Sequence, residues 1–136
     1  MIAEVEQRSG GISHIIIPNT ARLIKSMRRM HPDPIMQINP QTAEEFGILN
    51  DDWVWIETPR GRIKQKCRIF DGIDPRVVRA QHGWWFPEDD GAEPSLHVVW
   101  KSNCNVLTDD EPDSCNPISG GWPLRGLLCK IYKVDS

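Results

Sequence analysis

The feature that most constrains this fold is a pair of strand-like runs separated by a short turn. The runs are residues 53–58 and 62–70, and Pro59-Arg60-Gly61 between them contains residue types that bend a chain readily. The second run alternates along a β-strand, with Arg62, Lys64, Lys66 and Arg68 pointing one way and Ile63, Cys67 and Ile69 the other. The pattern predicts a β-hairpin whose basic face is turned to solvent.

Shorter runs predict further strands in one loop-rich domain. Residues 76–82 follow a turn and are predicted as a third strand, and residues 127–134 as a final one. Eleven prolines, ten glycines and short apolar runs are typical of such a β domain. A chain of 136 residues has the length of one domain, which we assign to residues 12–136. Residues 1–11 are predicted to be a flexible lead.

Two short helices are predicted before the hairpin. Residues 39–47 carry Asn39 as N-cap, Pro40 at the first helical position, acidic residues in the early turns and Gly47 just past the end. Residues 21–30 have the spacing of an amphipathic helix, ended by Pro32 and Pro34. Its predicted apolar face consists of Leu23, Ile24, Met27 and Met30.

Charge, hydropathy and cysteine spacing narrow the class of protein. The net charge of -3 gives no reason to expect a nucleic-acid partner. The apolar run near the start is far shorter than the roughly twenty residues that cross a bilayer, so no membrane span is predicted. Four cysteines without a C-x-x-C pair are typical of reduced thiols, and we expect a cytoplasmic protein.

No catalytic or metal-binding motif is evident. The sequence contains no P-loop, no G-x-G-x-x-G and no G-x-S-x-G. His82, His97 and Cys104 do not have the spacing of a zinc site, so no metal ligand is predicted. No cysteine or serine carries a sequence sign of activation as a nucleophile. The sequence therefore favours a binding domain over a self-sufficient catalyst.

An aromatic motif, QHGWWFP at residues 81–87, ends the third predicted strand and opens an irregular region of about forty residues. Aromatic rings offer faces to a flat heterocycle, and amide side chains can read its hydrogen-bonding edge. Such amides follow at Asn103, Asn105 and Asn116. The motif predicts a site for a nucleobase or pterin. The alternative is that Trp84 and Trp85 fill a gap beneath the long loop, and the motif alone leaves both open.

A series of motifs carries a family resemblance. Over about residues 21–134, the chain resembles the C-terminal domain of the molybdopterin oxidoreductases, the superfamily of dimethyl-sulfoxide reductase and formate dehydrogenase, and particularly members described as anaerobic dehydrogenases. The motifs stand in the family's order: INPQTA with FGI at residues 38–48, DWVWIETPRG at 52–61, HGWWFPE at 82–88, NVLT at 105–108 and GGWP at 120–123.

The resemblance implies a fold and a set of cofactor contacts. The fold would be mainly β, a six-stranded double-psi β-barrel of the aspartate-decarboxylase type with small peripheral helices. In the family this domain closes over two molybdopterin guanine dinucleotides that hold molybdenum or tungsten. Carried over by motif, the cofactor-binding residues would be His82, Gly83, Trp84 and Trp85 in one loop, Asn105 and Thr108 in a second, and Arg22 and Arg28 as phosphate or docking contacts.

The resemblance also implies a larger enzyme. The chain carries neither the family's iron–sulfur cysteine cluster nor the domain that supplies the metal ligand, and Pro18 and Asn19 replace a family His-Ser pair. We therefore expect a C-terminal domain or small subunit of an anaerobic or formate dehydrogenase, inactive alone, whose full enzyme is cytoplasmic or periplasmic. Its partners would be the remaining domains or a large subunit. The alternatives are a protein-interaction module and a pyruvoyl decarboxylase, which the absence of a Gly-Ser dipeptide disfavours.

Overall fold

The predicted hairpin lies at the centre of the structure, a computed structural model that describes residues 23–122 and 126–135. Its strands are β2 (Trp53–Glu57) and β3 (Arg62–Ile69), paired antiparallel from Trp53 opposite Lys66 to Glu57 opposite Arg62. The prediction of a hairpin is confirmed. Because side chains alternate along both strands, every second one is buried, and this inner face begins the core.

Three shorter strands extend the hairpin into a mixed sheet. They are β1 (Ile35–Ile38), β4 (Arg79–Ala80) and β5 (Lys130–Lys133), and the order across the sheet is β4-β1-β3-β2-β5. The pair β1 and β3 is parallel, and the other pairs are antiparallel. The third predicted strand is therefore much shorter than residues 76–82, because a turn closed by the Val77 N–H and the Asp74 carbonyl precedes it.

The sheet packs its inner face into one apolar core. Val54 and Ile56 of β2 lie with Ile63 and Cys67 of β3 in a single buried cluster. The loops contribute to the same cluster through other buried side chains, namely Ile48, Val78, Cys104, Leu107 and Cys129. Among these apolar neighbours the inner face of β3 also carries a fully buried amide, Gln65.

The second predicted helix is confirmed as α2 (Pro40–Glu45). The Asn39 side chain accepts a hydrogen bond from the Gln41 N–H at 2.9 Å, and Pro40 occupies the first turn. Gly47 follows with φ of +63°, the left-handed conformation that glycine adopts at helix ends. The acidic residues of the motif lie in the second turn and not in the first.

The first helix is shorter than predicted, and its apolar face is open. Helix α1 spans Lys25–Met30 and buries no residue. Leu23 is 60% exposed and Met30 is 67% exposed, so the apolar face predicted from periodicity has no cover in this structure. Neither helix among the described residues is long and apolar enough to cross a membrane.

The fold class is mainly β, with one open sheet and small helices. Within the described ranges the strands β4 and β5 are the two edges of the sheet, and the closed six-stranded barrel is not seen. The region from Gly83 to Trp122 is folded around three short 3-10 segments, Leu96–Lys101, Cys104–Leu107 and Pro112–Ser114. The predicted flexible lead at residues 1–11, Pro18, Asn19 and Arg22 lie outside the described residues.

Candidate functional site

Two loops that carry predicted site residues meet at the buried side chain of Gln65. The Gln65 Oε1 accepts a hydrogen bond from the Gln81 N–H at 3.0 Å, and its Nε2 donates to the Gln81 carbonyl at 2.8 Å and to the Ser102 carbonyl at 3.0 Å. Gln81 directly precedes His82, and Ser102 directly precedes the loop that contains Asn105. One amide on β3 therefore holds the starting points of both loops.

Two further contacts, both partly buried, join the same segments. The Ser102 hydroxyl donates to the Lys64 carbonyl at 2.7 Å, and the Cys104 thiol donates to the Gln81 carbonyl at 3.1 Å. We call Gln65, Gln81, Ser102 and Cys104 the Gln65 cluster. Because His82 follows Gln81 and Asn105 follows Cys104, these two predicted site residues flank a direct contact between the loops. The structure thus brings the two halves of the predicted site together.

The first loop divides the two tryptophans between the core and the surface. Gly83 has φ of +66°, which turns the chain sharply after the exposed His82. Trp84 is only 1% exposed and packs edge-on against Phe86, with ring centroids 6.3 Å apart. Trp85 is half-buried and lies edge-on against His97, at 5.2 Å. One tryptophan is therefore buried beneath the loop while the other reaches its surface.

His97 organises the rest of this loop and is structural. Its carbonyl accepts from the Phe86 N–H at 2.9 Å, its N–H donates to the Asp90 carbonyl at 2.8 Å, and its Nδ1 lies 2.8 Å from the Asp89 carbonyl. A Cβ at Gly91 would lie 2.6 Å from the His97 ring, so glycine is needed for this approach. In the part of the chain that the structure describes, no three His, Cys, Asp or Glu side chains are grouped to hold a metal ion.

The second loop presents Asn105 on a rigid 3-10 turn. The Asn103 side chain accepts from the Asn105 N–H at 3.0 Å, and the Thr108 hydroxyl donates to the Asn105 carbonyl at 2.9 Å. These bonds use only the backbone of Asn105, whose exposed amide makes no hydrogen bond to the described residues and is available to a ligand. In this structure the Thr108 side chain therefore stabilises the turn that carries Asn105.

The remaining predicted contact, Arg28, lies beside the first loop. Its Nη1 is 3.6 Å from the Glu88 carboxylate, which follows the aromatic motif directly. The guanidinium side chain is 26% exposed. A guanidinium of α1, a group that can bind phosphate, is therefore held beside Glu88, just after the aromatic motif. Arg22 lies outside the described residues, and the structure does not locate it.

The acidic segment that follows the second loop was visible in the sequence, but sequence reasoning gave it no role and no partner. Arg60, in the hairpin turn, forms ion pairs with Asp109, Asp110 and Glu111. A hydrogen bond from the Ser114 hydroxyl, followed by the Arg60 guanidinium and the Glu111 N–H, lowers the pKa of Asp109 to about 2. The only sequence signal was the run of acids itself, since nothing local pairs it with Arg60.

Three of the cysteines are buried thiols that are not activated as nucleophiles. Burial raises the pKa of Cys67 to about 11 and the pKa values of Cys104 and Cys129 to about 12. These thiols therefore keep their protons at neutral pH.

The two loops present four groups that a ligand could contact: an exposed imidazole, a glycine in the left-handed conformation, an indole at the surface and an exposed amide. This donor set suits the binding of a flat heterocycle with phosphates, and thus fits a pterin dinucleotide.

Comparisons with known proteins identify the family and the fold. A family described as the Molydopterin dinucleotide binding domain matches residues 17–126. Dopamine dehydroxylase of Eggerthella lenta is 39% identical over 107 residues, which cover 79% of this chain and 10% of that protein. Acetylene hydratase of Syntrophotalea acetylenica is 34% identical over 110 residues, which cover 79% of this chain and 15% of that protein.

A solved structure gives the same result for the fold. The acetylene hydratase from Pelobacter acetylenicus superposes with a TM-score of 0.74 at 30% identity, covering 79% of this chain and 15% of that chain. The chain therefore spans only about a tenth to a seventh of these relatives. The family match covers well over half of the chain, across both loops of the site. The chain belongs to the family of molybdopterin dinucleotide-binding domains found in molybdoenzymes of the dimethyl sulfoxide reductase type.

Proposed function

We propose that this chain binds molybdopterin guanine dinucleotide as the C-terminal domain or small subunit of a larger molybdenum or tungsten oxidoreductase. The observation that carries the proposal is the contact between the Cys104 thiol and the Gln81 carbonyl, which joins the residues immediately before Asn105 and His82. An anaerobic or formate dehydrogenase is the proposed enzyme, in the cytoplasm unless the full enzyme is exported.

Each predicted residue has a proposed role at this surface. His82 and the backbone at Gly83 contact the cofactor, and Trp85 offers an aromatic surface. Trp84, which is buried, supports the loop from within the core. The Asn105 amide hydrogen-bonds the heterocycle, while Thr108 fixes the turn that presents it. Arg28, with Arg22, attracts phosphate.

The residues of this chain favour a role in binding the cofactor over a role in the chemical reaction. When bound, the cofactor would supply the redox chemistry, and the protein binds and orients it. The buried thiols of this chain stay protonated, so they serve packing and hydrogen bonding. The isolated chain is therefore proposed to be inactive with reduced viologen and candidate substrates.

Nucleotide titration tests the proposal. Guanosine diphosphate is the probe, and equilibrium dialysis with tryptophan fluorescence reports binding to the 136-residue chain. His82→Ala and Asn105→Ala should each weaken binding by about tenfold, the effect of losing one or two good hydrogen bonds. The matched control is Gln41→Ala, which removes an exposed amide on α2 away from both loops. Absence of binding at millimolar probe, or equal affinity in all variants, would refute cofactor binding.

A second candidate, the protein-interaction module, is favoured by the open apolar face of α1. Leu23, Ile24, Met27 and Met30 are all exposed there. An apolar patch of this kind is typical of a surface that contacts another protein. The proposed partner is the remainder of the same enzyme, so the two functions are compatible. Recovery of the native polypeptide from its source cell tests this partnership. If the polypeptide is no longer than this chain and no large subunit co-purifies with it, the partnership is contradicted.

We propose the double-psi β-barrel as the complete fold of the domain. The support is the mixed sheet, in which the parallel pair β1 and β3 lies beside antiparallel neighbours. Hydrogen exchange of the outward-facing amides of β4 and β5 tests closure. In a closed barrel these amides are paired and exchange slowly, whereas at two open edges they exchange fast. Fast exchange at both edges would overturn the barrel.

A further inference from the structure

We propose that Gln65 is the positioning residue that sets the spacing between the two loops of the candidate site. This inference rests on the proposed function, since it matters only if both loops contact one ligand. Nothing in the family resemblance assigns a role to this position. The inference comes from the placement of one buried amide between two segments that are far apart in the chain.

The first step is that Gln65 uses both ends of its amide. The side chain is fully buried, its Oε1 accepts from the Gln81 N–H, and its Nε2 donates to the carbonyls of Gln81 and Ser102. A primary amide has one acceptor oxygen and two N–H donors. All three functions are used here, on two different segments. No apolar side chain of the same size can make this set of bonds.

The second step is that the bonded groups are the starting points of the loops. Gln81 is the last residue before His82, and Ser102 precedes the turn that presents Asn105. If the Nε2 donor is removed, the Ser102 carbonyl loses this partner and the Gln81 carbonyl keeps only the weaker thiol donor of Cys104. The Ser102 carbonyl is then stabilised by moving toward water. Such a movement separates the loops at the point where a shared ligand needs them together.

The third step is that the sheet does not depend on this side chain. The backbone of Gln65 pairs with Val54 across the hairpin, and these ladder bonds remain when the side chain is changed. The Ser102 and Cys104 contacts also remain, so the loops stay attached while their spacing relaxes. The expected defect is therefore local to the loops.

Two substitutions separate positioning from packing. Gln65→Met keeps the volume and removes every polar function. Gln65→Glu keeps the shape but replaces the NH₂ group. The introduced carboxyl would be buried against two carbonyl oxygens, so its charged form is disfavoured and its pKa is raised above the usual value of about 4.3. While protonated it can donate one hydrogen bond, and once ionised it can donate none.

The sign of the pH effect follows directly. Loop positioning in Gln65→Glu is retained at low pH and is lost as pH rises through the raised pKa. Of the titratable groups nearby, the Cys104 thiol keeps its proton over this range, and Lys64 and Lys66 point to the opposite face of β3. His82 is common to every variant, so each variant is compared with the unchanged chain at the same pH.

Hydrogen exchange of the full chain provides a readout without ligand. Protection factors for amides 82–86 and 103–108 should fall about tenfold in Gln65→Met at every pH. In Gln65→Glu they should stay close to the unchanged chain at about pH 5 and fall by about pH 8. Protection in β2 and β3 should change much less. Val54→Ala is the matched control, because it destabilises the same sheet from a fully buried site on the paired strand and removes no polar group.

Binding of guanosine diphosphate gives the second readout. The affinity should follow the loop protection, falling about tenfold in Gln65→Met and with rising pH in Gln65→Glu, and remaining unchanged in folded Val54→Ala. Equal loss of protection across sheet and loops, or a pH-independent Gln65→Glu, would overturn the positioning role. If the unchanged chain binds no nucleotide while the loop protection behaves as stated, the proposed function fails and the structural coupling stands.

Discussion

The buried hydroxyl of Thr58 donates a hydrogen bond to the carbonyl oxygen of Leu107 at 2.9 Å. Thr58 is the last residue before the hairpin turn, and Leu107 ends the 3-10 turn that carries Asn105. The tip of the central hairpin therefore supports one half of the candidate site. Several measurable consequences arise from this support and from the contacts around it.

Replacing Thr58 by valine should destabilise the protein by about 1–3 kcal/mol, because the buried Leu107 carbonyl loses its donor while the packing volume is kept. Urea unfolding followed by tryptophan fluorescence measures the loss. Thr58→Ser retains the hydroxyl and should lose markedly less. A loss in Thr58→Ser as large as that in Thr58→Val would contradict the role given to the hydroxyl, because serine retains it.

Replacing Gly61 by alanine should cost about 1–3 kcal/mol through overpacking. A Cβ at this position would lie 2.9 Å from Val106 Cγ1 and 3.0 Å from the Val106 carbonyl oxygen, so the second loop must shift. The control is Gly121→Ala, whose Cβ would meet only the Ser119 hydroxyl at 3.7 Å. Thermal unfolding should show a lower midpoint temperature for Gly61→Ala. The midpoint of Gly121→Ala should stay almost unchanged.

Asp109 should make stability depend on pH in the acid range. Its folded pKa of about 2 is lower than the usual value of about 3.9, so its contribution is fully present above about pH 4 and is lost as pH falls toward 2. Urea midpoints measured across this range should show a smaller slope for Asp109→Asn. Asp113→Asn, an exposed carboxyl on the same segment, serves as control, and an equal change in slope there would contradict the assignment.

Thiol labelling should distinguish Cys115 from the buried cysteines. Cys115 is half-buried, whereas burial raises the pKa values of Cys67, Cys104 and Cys129 to about 11 or 12. A thiol reagent at about pH 8 should therefore react with Cys115 first and with the others on the timescale of unfolding. Cys115→Ser should remove the fast phase. A fast phase that persists in this variant would show that a buried thiol is reached.

The Arg28–Glu88 ion pair should limit the attraction of Arg28 for phosphate. Glu88→Gln removes the competing charge and should raise the affinity for guanosine diphosphate by about two- to fivefold, while Arg28→Gln should lower it. The gain should disappear in the double variant, because it acts through Arg28. A full gain in the double variant, or one that is insensitive to salt, would refute this coupling.

The sequence predicted those elements whose structure depends on contacts between residues close together in the chain. Helix α2 was predicted because Asn39, Pro40 and Gly47 act within a few residues of each other. Strand β1 was missed, since four residues after Pro34 become a strand only by pairing with β3, far along the chain. The apolar face of α1 was predicted from periodicity, but periodicity shows which residues share a face and not what covers them.

The sequence indicated the exposed residues of the candidate site. It did not indicate the buried contacts that hold the two loops in place. The aromatic motif and Asn105 were identified from residue types that bind heterocycles. The roles of Trp84 and Trp85 could not be separated, because burial depends on how the whole loop folds. Gln65 was detectable as the one polar residue on the inner face of β3, but its partners at Gln81 and Ser102 depend on the tertiary structure.

The pairing of β5 with β2 has a kinetic consequence. Residues 70–129, which include both loops of the candidate site, connect β3 to β5. The two ends of this long connection must come together before β5 can pair with β2 and complete the sheet. Loop-closure entropy opposes such pairing, and domains with many non-local contacts fold slowly, on the order of milliseconds to seconds. We expect the hairpin to form early and the ligand-binding surface to be acquired late, when the last strand joins.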